Sequence, residues 1–247
     1  MAKRQRIALV TGANKGLGFE TCRQLGRMGI TVLLAARDRL RGEAATAQLM
    51  GEGLDAHFVT LDITNSGQIR NTRHHVENHF GHLDILVNNA GTMSPEEPLF
   101  GNSAATVSPD ALRRTFDVNF FGLVELTQAL LPLLRKSPAG RIVNISSILG
   151  SLAVHSDVAS DFAGTKPFAY DASKCAVNQF TVHLAAALAD TPIKVNSAHP
   201  GWVRTDLGGE AAPMTAGEGA ATAVRLATLG PDGPSGGFFH GKEALPW

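Results

Sequence analysis

Six short runs of β-branched and other apolar residues return along the chain, each followed by a longer helical pattern, and this alternation narrows the fold more than anything else. The runs are IALV (7–10), TVLLAA (31–36), AHFVTL (56–61), LDILV (83–87), RIVNIS (141–146) and IKVNSA (193–198). Near-continuous apolar character is the mark of a strand buried on both faces. Helical patterns occupy 16–28, 39–50, 65–80, 110–135, 170–190 and 216–229. Strand followed by helix, six times over, predicts an α/β chain with a Rossmann-type, doubly wound parallel sheet and helices on both faces. No Pro- or Ser-rich linker divides the series, so residues 1–247 read as a single domain. Two segments, 92–109 and 148–169, have no clear period. In such a sheet they would fall beyond the carboxyl ends of strands four and five, where ligands bind.

Lys plus Arg and Asp plus Glu both number 22, with a pI near 7.1, so the basic excess of a nucleic-acid binder is missing. Cys22 and Cys175 are the only cysteines, which suits a reducing compartment. The apolar stretch FFGLVELTQALLPLL carries Glu125, Gln128 and Pro132 and reads as a buried helix, not a membrane span. IALV is too short for a signal-peptide core. These features predict a cytoplasmic protein without nucleic-acid or membrane partners.

Directly after IALV comes TGANKGLG, with Gly12, Gly16 and Gly18 at the mouth of the first helix. Side chains there would keep a pyrophosphate from the backbone, and its charge is favoured at a helix N-terminus. The loop lacks the GK[ST] ending of a triphosphate-binding loop. The second strand ends in Ala35, Ala36 and Arg37. An acid at that tip would suit the free ribose hydroxyl of NAD, whereas an arginine makes charge-assisted bonds to the 2′-phosphate of NADP. Lys15 and Arg41 could complete a cationic pocket, and Asp38 is the competing acid. Three cations against one acid favour NADP.

TGANKGLG, NNAG (88–91), Asn119, Ser147, the Tyr170/Lys174 pair of YDASK and PGWVRT (200–205), in that order, resemble the short-chain dehydrogenase/reductase family along nearly the whole chain. NKGLG, AARDRLRG, PGWVRTDLGG and the terminal tryptophan are most similar to its NADPH-dependent carbonyl reductases. The resemblance implies a catalytic set of Asn119, Ser147, Tyr170 and Lys174: Tyr170 as proton donor, Ser147 polarising the carbonyl, Asn119 in support. It also implies cofactor contacts from Gly12, Asn14, Lys15, Gly16, Leu17 and Gly18, from Arg37 and Arg41, and from Asp62 and Ile63 at the adenine. Asn89, Ala90 and Gly91 would close the groove, and Pro200, Gly201, Val203 and Thr205 would hold the nicotinamide amide, with Tyr170 and Lys174 at the ribose.

Tyr170 is the only tyrosine. Bringing a phenol from pKa 10 to about 7 needs roughly 4 kcal/mol. A unit charge about 4 Å away supplies on the order of 4 kcal/mol at an effective dielectric near 20, and i and i+4 share a helix face. Lys174 is therefore expected to make Tyr170 acidic. The expected reaction is NADPH-dependent reduction of a small-molecule ketone or aldehyde. A dehydratase or epimerase, and a non-catalytic NADP-responsive binding protein, are the alternatives.

His75 and His79 stand i, i+4, but no carboxylate or cysteine signature accompanies them, so no metal is expected. Cys175 reads as a structural thiol, and His155 as either lining the substrate cleft or exposed. Ser147 and Tyr170 are 23 positions apart. That is longer than in many of the family and shorter than the insertion of monomeric animal carbonyl reductases, which leaves dimer, tetramer or monomer open.

Overall fold

The computed structural model describes residues 4–97 and 103–247; positions 98–102, part of the unperiodic 92–109 segment, lie outside the described residues. Strands β1 (Ile7–Thr11), β2 (Thr31–Ala36), β3 (Ala56–Thr60), β4 (Ile85–Asn88), β5 (Arg141–Ile145), β6 (Lys194–Ala198), β7 (Phe238–His240) and β8 (Glu243–Ala244) form one sheet in the order β3-β2-β1-β4-β5-β6-β7-β8. All neighbours pair in parallel except β7 with β8. Register is set at the centre, where Leu9 faces Leu33 of β2 and Leu86 of β4.

The helices are α1 (Gly16–Arg27), α2 (Arg39–Gly51), α3 (Ser66–Phe80), α4 (Pro109–Phe116), α5 (Gly122–Leu134), α6 (Leu152–Ser156), α7 (Phe168–Ala187) and α8 (Ala216–Ala227). Alternation along each strand divides the core between the two faces. Ala8, Val10, Val32, Leu34, Ile85 and Val87 meet Cys22 and Leu25 of α1, Leu49 of α2 and Leu226 of α8. Ile7, Leu9, Leu33, Ala35 and Leu86 meet Ile69 and Val76 of α3 and Leu126, Leu130 and Leu133 of α5. Pro109–Leu134 is long and apolar enough to cross a membrane by length and composition alone, yet its Leu126, Leu130, Leu133 and Leu134 are part of this second core.

The expected doubly wound parallel sheet is present, with three departures. The helix expected over 110–135 is interrupted by a π-helical turn, Asp117–Phe121. The 148–169 segment holds a 3-10 turn (Ile148–Gly150) and the short helix α6. Strands β7 and β8 escape the pattern because strands of three and two residues are too short to show a period.

Candidate active site

β1 and β4 are neighbours from which the chain departs to opposite sides of the sheet, so a crevice opens at their carboxyl ends. Gly12 (φ 62°) and Gly16 (φ 55°) turn the chain there in the left-handed region. A Cβ on Gly12 would come within 2.9 Å of Ala90 Cα, and one on Gly18 within 2.5 Å of Asn89 Nδ2. Asn89 Nδ2 donates to the carbonyls of Thr11 (2.7 Å) and Gly12 (3.2 Å), while the N–H groups of Asn89 and Ala90 both donate to Thr11 Oγ1 at 2.9 Å. The glycine loop and NNAG are thus laced into one floor.

Lys15, at the N-cap of α1, makes no side-chain cap and no acid stands in the first turn. By contrast Asp38, Asn65, Ser108, Ser151 and Thr215 cap α2, α3, α4, α6 and α8. The first N–H groups of α1 therefore have no side-chain acceptor from their own cap, and with two left-handed glycines beside them they fit a dinucleotide pyrophosphate. Asn14 and Leu17 sit half-buried in this loop and first turn.

At the β2 tip Arg37 is exposed. Asp38 is turned into its own helix, accepting from Arg41 N–H at 3.0 Å, with Arg41 Nε 3.5 Å from its other oxygen. Lys15 is ion-paired with Asp206, beyond PGWVRT, and the Asp206 carboxyl lies below its usual range because of Lys15 first and Arg41 more weakly. Asp62 Oδ1 accepts from the N–H (2.9 Å) and hydroxyl (2.7 Å) of Thr64, and Ile63 is buried.

PGWVRT folds back toward the glycine loop. Gly201 turns with φ 86°, where a Cβ would meet Met214 Sδ at 2.3 Å, and Val203 pairs with Met214. Thr205 Cγ2 is 3.2 Å from where a Cβ on Gly16 would stand, and Pro200 is half-buried at the end of β6.

The four expected catalytic residues converge. The π turn faces Asn119 inward, fully buried: its Oδ1 accepts from Thr92 N–H at 2.7 Å, and its Nδ2 donates to the Thr92 carbonyl (2.8 Å) and Ser173 Oγ (2.9 Å). Such turns often occur at functional sites. Ser173 in turn donates to the Tyr170 carbonyl at 2.7 Å. Ser147 stands close enough to the Tyr170 hydroxyl to favour its ionised form. Lys174, also buried, donates from Nζ to the Ile145 carbonyl at 2.8 Å and lies 5.6 Å from the centroid of the Tyr170 ring. A Cβ on Gly91 would be 3.5 Å from both Asn119 Oδ1 and Lys174 Nζ, so NNAG reaches this cluster too.

The electrostatics correct one expectation. Tyr170 is not acidic here: burial pushes its hydroxyl up to about 12, partly offset by Ser147 and reinforced by Asp171. Burial also pulls the Lys174 ammonium down to about 8. Desolvation disfavours each charged form and is the largest cause at both groups.

Thr11, Thr92 and Ser173 were missed by the sequence reading. Ser173 lies inside YDASK, where i+3 spacing from Tyr170 was the available signal; Thr92 holds Asn119 through backbone groups, which carry no sequence signature. Cys175 is half-buried with its thiol pushed up by burial, as a structural residue would be. His155 is half-buried rather than exposed. The His75 and His79 rings lie 4.3 Å apart, and among the described residues no group of three metal-ligating side chains occurs.

The short chain dehydrogenase family model matches residues 6–216. Carbonyl reductase [NADPH] 1 of Mus musculus is 35% identical over 100% of both chains, and (-)-isopiperitenone reductase of Mentha piperita is 33% identical over 99% of both. NADPH-bound carbonyl reductase from chicken fatty liver superposes with a TM-score of 0.84 at 26% identity, covering 99% of this chain and 100% of that one. A crevice floored by glycines, a buried Asn-Ser-Tyr-Lys cluster and full-length similarity to these reductases lead to one conclusion: the chain belongs to the short-chain dehydrogenase family.

Proposed function

We propose that the protein reduces a ketone or aldehyde to an alcohol with NADPH, Tyr170 delivering the proton. The observation that carries this reading is the burial of Tyr170, Ser147, Lys174 and Asn119 in one cluster, in which Asn119 is tied through Ser173 to the Tyr170 carbonyl and Lys174 is tied to the Ile145 carbonyl. The relatives named as NADPH carbonyl reductases support the same chemistry and cofactor.

Bound in the crevice, NADPH supplies the hydride. Tyr170 and Ser147 would donate two hydrogen bonds to the carbonyl oxygen, where negative charge develops as it is reduced; such placement is commonly the largest electrostatic contribution to catalysis. With its hydroxyl held near 12, Tyr170 carries its proton at neutral pH and is a donor rather than a base. Lys174, pulled to about 8, keeps most of its charge at pH 7 and opposes the negative charge left on Tyr170 after transfer. Asn119, held by Thr92 and Ser173, would support a relay that returns a proton to Tyr170 through water.

Preference for NADP follows from Arg37, Lys15 and Arg41 near one crevice edge, with Asp38 occupied as a helix cap. The site chemistry requires no partner beyond the cofactor and a small carbonyl compound, and the composition suits a cytoplasmic protein. The test is nucleotide oxidation with a panel of aldehydes, ketones and diketones, run with NADPH and NADH in parallel. Carbonyl-dependent oxidation with NADPH preferred is expected; no oxidation by any carbonyl would favour a binding protein, and an NADH preference would overturn the reading of Arg37.

A further inference from the structure

Between Ser147 and Tyr170 lies a half-buried contact chain with no counterpart in the catalytic set. Ser147 Oγ accepts from Leu149 N–H at 3.2 Å. The Leu149 carbonyl is 2.8 Å from His155 Nε2, and the same nitrogen is 3.2 Å from Asp171 Oδ2. Asp171 adjoins Tyr170 in sequence, and Ser147 is in turn near enough to act on the Tyr170 hydroxyl. A carbonyl only accepts, so the His155 proton sits on Nε2; Nδ1 is left to accept from Lys166 Nζ at 2.8 Å. Lys166 also donates to the His155 carbonyl at 3.3 Å. The short helix carrying His155 is itself anchored, Ala153 N–H donating to the Trp247 carbonyl at 2.9 Å. Glu97 accepts from Ala169 N–H at 2.9 Å on the other side of the same helix start.

We propose that His155 is a positioning residue for carbonyl reduction: as a neutral Nε2–H imidazole it ties the turn after Ser147 to the start of the Tyr170 helix, and Lys166 fixes its tautomer. The inference rests on Ser147 and Tyr170 being the reacting hydroxyls. Side-chain and backbone contacts set their separation, and a small misplacement of a donor costs far more rate than stability. Protonating His155 would put a second cation against Lys166. Consistent with this, burial chiefly and Lys166 secondarily hold the imidazole below its usual range, while the Leu149 bond works the other way. The groups facing this bridge are Lys166 and Asp171, with Glu97 and Tyr170 around Asp171.

The experiment compares steady-state carbonyl reduction and NADPH fluorescence titration for the wild type, His155→Ala, His155→Gln and Lys166→Met, with Tyr170→Phe as control. His155→Ala should lower kcat on the order of tenfold while NADPH affinity holds. His155→Gln keeps a donor for Leu149 and an acceptor for Lys166, and should recover to within about threefold of wild type. Lys166→Met should move the acid limb of the kcat profile to higher pH. A purely structural role would leave that limb unmoved and give no rescue by glutamine. Undiminished kcat in His155→Ala, or no difference between His155→Ala and His155→Gln, overturns the proposal. If His155→Ala does not fold, an unmoved acid limb in Lys166→Met overturns it instead. Turnover retained by Tyr170→Phe sinks the underlying assignment and this proposal together, whereas an inactive Tyr170→Phe beside an unimpaired His155→Ala sinks this proposal alone.

Discussion

Asn119 Nδ2 donates to Ser173 Oγ at 2.9 Å, joining the π turn to the middle of the YxxxK motif. Ser173 donates in turn to the Tyr170 carbonyl within helix α7, so the first bond fastens the turn to the helix and the second orients the Ser173 hydroxyl that receives it. Replacing Ser173 by Ala removes both bonds and leaves an amide N–H with one partner fewer in a dry site. The expected cost is about 1–3 kcal/mol of stability, with a fall in kcat larger than any change in NADPH affinity. Denaturant melts together with kcat and NADPH titration check it; an unchanged kcat would detach Ser173 from catalysis.

Arg37→Ala should weaken NADPH binding and leave NADH untouched, because the lost group would meet only the 2′-phosphate. A charge-assisted hydrogen bond contributes about 1.5–3 kcal/mol, so the KM for NADPH should rise on the order of tenfold to a hundredfold. Equal effects on both nucleotides would place Arg37 away from the phosphate.

Gly12→Ala meets two obstacles at once. The backbone sits at φ 62°, and the new Cβ would stand 2.9 Å from Ala90 Cα, which is main chain and cannot swing aside. The left-handed conformation alone costs about 1–2 kcal/mol for a non-glycine residue. A clear drop in Tm and weaker binding of both nucleotides are expected, since the loop and NNAG would separate.

Asp171 links stability to pH. Burial chiefly, and Glu97 secondarily, push its carboxyl up to about 8 from an ordinary 3.8, against the pull of Lys166. Its folded pKa exceeds the unfolded one, so between roughly pH 4 and 8 the folded state binds more proton and this group's contribution to stability falls as pH rises. Lys174 acts oppositely in a higher window: its pKa falls from 10.5 to about 8, so stability rises with pH between those values. Asp171→Asn should flatten the stability profile between pH 4 and 8 and leave the slope above pH 8 in place. Urea melts across the range test this; an unaltered slope below pH 8 would show that Asp171 titrates normally.

Much of the architecture could be read from the sequence because the central strands are buried on both faces, which writes β1, β2, β4 and β5 as predominantly apolar runs, polar only at a few positions such as Asn88, Arg141 and Asn144. Helices with a single buried stripe were equally visible. What escaped was short or locally irregular: β7 and β8 at one sheet edge, α6, and the π turn, whose extra residue leaves the apolar spacing almost unaltered.

The order of motifs along the chain determined the family and the glycine loop and singled out Asn119, Ser147, Tyr170 and Lys174 as the set that the structure brings together, because the motifs demand particular side chains at particular spacings. Tertiary packing alone decided their electrostatics. Four residues of separation on a helix brought Lys174 beside the Tyr170 ring, but the depth of both beneath the surface set the cost of ionising either, and depth is a property of everything packed around them. Nor could spacing bring His155, Lys166 and Asp171 together, since their meeting depends on how a segment without period folds back onto α7.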